Sequence, residues 1–309
     1  MLLRKQAPVP DRRDWYRSAS EEDRREYDAF GPWICDVRDE AEMPRVFRDA
    51  WRTVAEAPIV LKVPIDADRL QCRPGMNLYS TVLAVDDGGV TLLRLVAGSV
   101  ENRRIGWSEI AAVGSYANLL IGRWTLLLGD GGEICVDHGA VGAARMSRVS
   151  GFVRAHIGGL DGTPAPRPDA AVAVTDLFFR NMLADAGRDA EKPVVAIHWE
   201  PPNRPCRNEA NRRRLSTGVL FVDTPGELVI VDRERATRRR FHPTYASRAT
   251  WVPWRSLSAW SFPAAEPEGP PRPRDLVLRL DRQTIRRPCL ATPEAVVARL
   301  EAHGVPRVA

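Results

Sequence analysis

Lysine is almost missing from this chain. Lys5, Lys62 and Lys192 are the only three among 45 basic residues, so arginine carries nearly all of the positive charge. The net charge is +5 and the pI about 9.2, which invites a nucleic-acid reading. Arginine in place of lysine, beside abundant Ala, Pro and Gly, is a genome-wide compositional habit. The basic residues also read as spread along the chain among Asp and Glu, so nucleic acid is not the expected partner. Long apolar runs are missing too. The best stretch, Leu119 to Leu128, is broken by Gly122 and Arg123, well short of the ~20 residues of a membrane helix. No apolar run follows Met1-Leu-Leu-Arg-Lys5, as a signal peptide would require, so a cytoplasmic location is expected.

Paired cysteines are absent. Cys35, Cys72, Cys135, Cys206 and Cys289 are odd in number, far apart and never in a CxxC pair. That spacing argues against a zinc ribbon, a redox dithiol or a disulfide framework. Catalytic signatures are missing as well: there is no GxGxxG after a strand, no phosphate-binding GxxxxGK[ST], no HExxH and no GxSxG. His138, His156, His198, His242 and His303 stand apart, none with a second histidine at a metal-ligand spacing. Asp137-His138 could be an acid–base pair but lacks a third group to orient it, and Asp86-Asp87 fits an Asp/Gly-rich hairpin turn. No catalytic residue, metal or cofactor is expected.

What is present is β-texture interrupted by tight turns, in a chain with 44% hydrophobic residues. Residues 1–57 read as a helical and extended segment. Ser18 or Ser20 caps a short helix running from Asp23 to Phe30, Phe30 and Trp33 flank a Gly31-Pro32 turn and should pack onto a domain, and Pro44 to Val54 is a short amphipathic helix. Residues 58–158 form a first domain. Its strands are Ile59–Val63, Tyr79–Val85, Val90–Val96, Ile105–Val113, Trp124–Leu128 and Glu133–Val136, with hairpin turns at Asp86–Gly89 and Gly129–Gly132. A second charged loop precedes Ile105. A helix from Val141 to Ile157 closes the domain, its stripe made of Val141, Met146, Val149, Phe152, Val153 and Ile157. Residues 159–192 are a Pro-rich linker with a short helix from Asp176 to Asp185.

Residues 193–309 repeat the pattern. Ser80–Asp86 faces Ser216–Asp223, Trp107 to Ile110 faces Trp254 to Leu257, and Leu126–Asp130 faces Leu278–Asp281. A last helix, Thr292 to His303, buries Val296, Val297 and Leu300. Several short strands, hairpin turns and one terminal helix per half resemble tandem bacterial domains of the pleckstrin-homology superfold, over roughly two thirds of the chain. The resemblance is one of pattern rather than motif. It implies a mostly β fold with some α: two β-barrels, each capped by a C-terminal helix, plus short N-terminal helices. From the repeat itself, Trp107 and Trp254 are expected at equivalent, substantially buried positions.

Members of that superfold bind phosphoinositides, peptides or other proteins, and fold alone selects none of them. The leading expectation is a non-catalytic interaction or scaffold protein that binds a protein partner. The alternative is binding of an anionic ligand, a phospholipid head group or nucleic acid, through Arg212, Arg213, Arg214, Arg238, Arg239 and Arg240, whose guanidinium forks suit phosphate oxygens. The matching positions of the first half, Met76-Asn77-Leu78, hold no basic residue. An enzyme of unrecognised type is the third reading.

Overall fold

The computed structural model describes residues 12–158, 172–188, 194–202, 217–224, 226–233, 246–264 and 274–308. The chain divides into two compact units, Met1–Arg104 and Ile105–Ala309.

In the first unit, α1 (Arg12–Ser18) precedes α2 (Glu21–Ala29). Ser20 caps α2 by accepting the Asp23 N–H, and Glu21, Glu22 and Asp23 place negative charge against its positive end. A 3-10 turn, Arg45–Ala50, tightens the first part of the helix expected from Pro44, leaving one α-turn, α3 (Trp51–Val54). The sheet is antiparallel in chain order: β1 (Cys35–Asp36), β2 (Ile59–Pro64), β3 (Tyr79–Asp86), β4 (Gly89–Val96) and β5 (Ser99–Gly106). The N-terminal elements cover one face with Phe30, Met43, Phe47 and Val54, which join Leu78, Tyr79 and Val82 in one core. Phe30 sits edge-on to Tyr79 at 5.7 Å, whereas Trp33 across the turn is exposed. β5 replaces the expected charged loop. It is an edge strand whose residues from Ser99 to Arg104 are all exposed, so it needs no apolar alternation.

The second unit holds β6 (Ile110–Asn118), β7 (Ile121–Leu128), β8 (Glu133–Gly139), α4 (Ala143–Gly158), α5 (Leu177–Arg188), β9 (Val195–Glu200), β10 (Val219–Asp223), β11 (Glu227–Arg233), β12 (Ser247–Pro253), β13 (Ala259–Ser261), β14 (Arg274–Leu280), β15 (Gln283–Cys289) and α6 (Glu294–Ala302). β10 and β11 are buried on both faces. Phe179 of α5 covers one face with Leu220, Val222, Val229 and Val231. Phe221, Leu228 and Ile230 on the other face meet β13–β15 and α6 through Trp260, Leu278, Val296 and Leu300. That double burial explains their near-continuous apolar sequence, VLFV and LVIV. Gly218, at the start of β10, has φ +88, and a Cβ there would meet the Phe179 ring at 2.8 Å.

The expected pair of helix-capped barrels is not what forms. Among the described residues there are three antiparallel sheets of five, seven and three strands, and none closes. The reason is one strand pairing. β6 bonds to β12, with Ala117 opposite Ser247 and Val113 opposite Trp251. The β6–β8 meander therefore joins β9–β12 in one sheet of order β8-β7-β6-β12-β11-β10-β9, and only β13–β15 remain apart. Helix α4 lies over this seam and locks it. Arg154 donates to Glu227 on β11 (Nε to Oε1, 3.0 Å) and stacks over Trp251 at 4.8 Å. Val141, expected on the buried stripe of α4, instead sits exposed in the 3-10 turn that precedes the helix.

A repeat in strand order nevertheless remains visible. Each half runs as a four-strand meander (β2–β5, β9–β12), a three-strand meander (β6–β8, β13–β15) and one helix (α4, α6). The equivalent turns of β7–β8 and β14–β15 touch: Gln283 Nε2 donates to the Gly132 carbonyl at 2.8 Å, and Gly131, at φ +96, leaves room for Arg282. The repeat extends to aromatic stacking. Trp107 stacks on His156 at 4.7 Å, near the end of α4, and Trp254 stacks on His303 at 4.2 Å, just past α6. Each histidine follows its tryptophan by 49 residues. The two sites differ in burial. Trp254 is 6% exposed and donates its indole N–H to the Thr224 carbonyl at 3.2 Å, while Trp107 is only half-buried. Trp254→Ala is therefore expected to cost ~3–5 kcal/mol and Trp107→Ala less than half of that. Urea unfolding of both variants checks this, and equal losses would contradict it.

The His303 ring gives a pH dependence. Burial first, and then the Arg299 charge, hold its imidazole below the ordinary 6.5. The unfolded chain takes up the proton near that value while the folded chain resists it, so stability falls as the pH drops below about 6.5. His303→Gln removes this component. The stability advantage of the wild type over the variant should shrink between pH 8 and pH 5.5, and an advantage that grew on acidification would contradict the assignment.

Candidate functional site

The six candidate arginines, Arg212–Arg214 and Arg238–Arg240, lie outside the described residues, but their points of attachment do not. β9 ends at Glu200, opposite Val219 at the start of β10, and Val219 faces Asp232 near the end of β11. Arg233 faces Ser247, the first residue of β12. Segments 203–216 and 234–245 are therefore both anchored at one end of the seven-stranded sheet. They hold nine arginines and two glutamates, a net +7 in a chain whose total is +5. The remaining 283 residues are thus net −2. This corrects the impression of charge spread evenly along the chain: the basic excess belongs to two connections.

The described side chains at this end do not supply that excess. Arg233 pairs with Asp176 at 2.8 Å and lies over the Phe178 ring at 4.0 Å. Arg287 of β15 pairs with Asp232 at 2.8 Å. Burial raises the Asp232 carboxyl above its usual range and lowers the Arg287 guanidinium, so the pair is held by proximity at the cost of desolvating both groups. His198 lies 3.6 Å from the buried Glu200 carboxylate. Arg248, opposite Asp232 in register, is exposed.

No family model matches the chain, and no curated protein is similar to it.

The other sequence candidates are absorbed into the scaffold. Asp86 is held by Arg104, which donates Nη1 to Oδ2 at 2.7 Å and also reaches Thr91. That hydrogen bond, foremost, keeps the Asp86 carboxyl below its ordinary range. Asp137 pairs with Arg123 (2.5 Å), while His138 turns its Nδ1 to the Gly139 carbonyl (2.9 Å), so the two do not form an acid–base pair. Cys289 is buried, and desolvation pushes its thiol up to about 12. No disulfide is found, and no group of three or more His, Cys, Asp or Glu could hold a metal, among the described residues. No described helix is long and apolar enough to cross a membrane.

One feature at the same end escaped the sequence reading. The β6–β7 turn carries Leu119, Leu120 and Ile121, which are 69%, 79% and 61% exposed, with Val141 beside them at 69%. The Ala140 N–H bonds the Leu120 carbonyl at 2.9 Å and holds Val141 next to the turn. The available signal was the apolar pair at a position where turns carry Gly, Asn or Asp.

Proposed function

We propose that the protein is a non-catalytic binding module for a polyanionic partner, engaged at the end of the seven-stranded sheet where segments 203–216 and 234–245 are anchored. The observation that carries this reading is the charge. A net +7 is gathered in two connections that leave adjacent strands at one end, on a chain that is otherwise slightly acidic. Arginine forks pair with phosphate or sulfate oxygens two bonds at a time, which suits them to such a partner. At the same end of the sheet, by contrast, Arg233 and Arg287 are held in ion pairs with Asp176 and Asp232.

A protein partner is the second reading, and the outer edge of β8 favours it. Among the described residues no strand pairs with that side of β8, and strand addition is the mode such an edge would offer a protein partner. The resemblance to the pleckstrin-homology superfold rests on strand order alone and selects neither ligand. A cytoplasmic location accords with the thiols of the described cysteines, which form no disulfide.

Heparin titration across salt separates the two readings. Polyanion binding should weaken steeply and linearly in log Kd against log salt, because each neutralised anionic group releases counterions. Absence of heparin binding at low salt would overturn the polyanion reading.

A further inference from the structure

We infer that the outer edge of β5 pairs antiparallel with β5 of a second copy of this chain, centred on Asn102, so that two five-stranded sheets join into one. The inference is independent of the polyanion reading.

Burial marks β5 out. Ser99 to Arg104 are all exposed, although successive side chains of a strand point to opposite faces of its sheet. Such a strand buries little apolar surface to offset the entropy of ordering it. Two local devices hold it beside β4. One is the Ala97-Gly98 turn, where both φ are positive, at +49 and +86. The other is Arg104, whose Nη1 donates to Asp86 and to Thr91. Among the described residues no strand pairs with the other side of β5. Monomers blunt such an edge by keeping it short, by placing proline on it, or by covering it. β1, the opposite edge of the same sheet, is two residues long. β5 runs for eight, without proline, and Ser99–Arg104 lie uncovered.

Charge selects the occupant and the register. Two identical strands related by a two-fold axis perpendicular to the sheet run antiparallel, with one residue opposite its own copy. Centred on Asn102, the pairing sets Glu101 opposite the partner's Arg103 and Arg103 opposite the partner's Glu101, both on one face. Neither Glu101 nor Arg103 has a side-chain partner among the described residues, so nothing competes for them. On the other face the two Asn102 amides meet and can hydrogen-bond. Val100, 38% exposed, lies there beside the partner's Arg104, whose guanidinium stays with its own Asp86. A centre on Glu101 or on Arg103 would set like charges against each other, and parallel in-register pairing would do so at both positions. Glu101-Asn102-Arg103 is thus its own antiparallel complement, which a second copy requires and an unrelated strand does not.

The experiment is sedimentation equilibrium of the full chain, without polyanion, over a range of concentrations. The wild type should show a reversible monomer–dimer equilibrium. Glu101→Arg or Arg103→Glu alone turns both charge pairs of the dimer into like-charge pairs, and each should weaken dimerisation by about tenfold or more. The two substitutions together restore opposite charges at both pairs and should return most of the affinity. All of them alter exposed side chains, and unchanged far-UV circular dichroism checks that the monomer fold is kept. A wild type that stays monomeric throughout, or a dimer that neither reversal weakens, would overturn the pairing. A double variant that dimerises no better than the single ones would overturn the register centred on Asn102.

Discussion

Asp223→Ala should cost the second unit about 3–5 kcal/mol, seen as a lower urea midpoint with an unchanged slope. Asp223 ends β10 and Arg299 lies on α6. Both are buried, with Nη2 at 2.9 and 3.1 Å from the two carboxylate oxygens. Arg299 also lies 3.4 Å from His303 Nε2 and over the Trp254 ring at 5.9 Å, so one guanidinium joins the last helix, the strand end and the stacked pair. Removing the carboxylate leaves a buried cation without its counter-charge, which accounts for the size of the loss. Replacing both partners with apolar residues, Asp223→Leu with Arg299→Met, should recover much of it, because a buried pair offsets little more than its own desolvation. A single substitution costing under 1 kcal/mol would show that the pair is not buried in solution.

Changing Arg212–Arg214 and Arg238–Arg240 to glutamine should weaken heparin binding by about a hundredfold or more at low salt and flatten its salt dependence. Six of the nine arginines in the two segments would be gone, while every described core residue stays in place, and an unchanged far-UV circular dichroism spectrum checks that the fold is retained. Exchange of the same six for lysine separates charge from geometry. It keeps every charge and removes the forks, so binding should fall several-fold rather than vanish. Binding unchanged by lysine would reduce the site to diffuse electrostatics. Binding unchanged by glutamine would remove these arginines from the site.

Local signals in the chain were readable because they are set by neighbours in sequence. Ser20 and the acids after it announce α2, and the Asp/Gly turns announce the β3–β4 and β7–β8 hairpins. The strand order of each half follows from such hairpins. The pairing of β6 with β12 does not. It joins residues more than 120 positions apart, and β6, buried through its first four residues without alternation, carries no pattern that names its partner or register. That one ladder converts the expected barrels into open sheets. β5 was missed because an exposed edge strand has no buried face to leave a pattern. The 49-residue Trp–His spacing was in the sequence twice, but only the helix ends show that it places a ring on a ring. The arginine runs were legible as residues. Their common origin at one sheet end, and the leucine turn beside them, needed the register.

The most direct test of the account is hydrogen–deuterium exchange of the full chain with and without heparin at low salt. The account predicts slowed exchange at residues 203–216 and 234–245, with the first unit and the β8 edge unchanged. Protection confined to β8 or to the first unit, or none in these two segments, would contradict it.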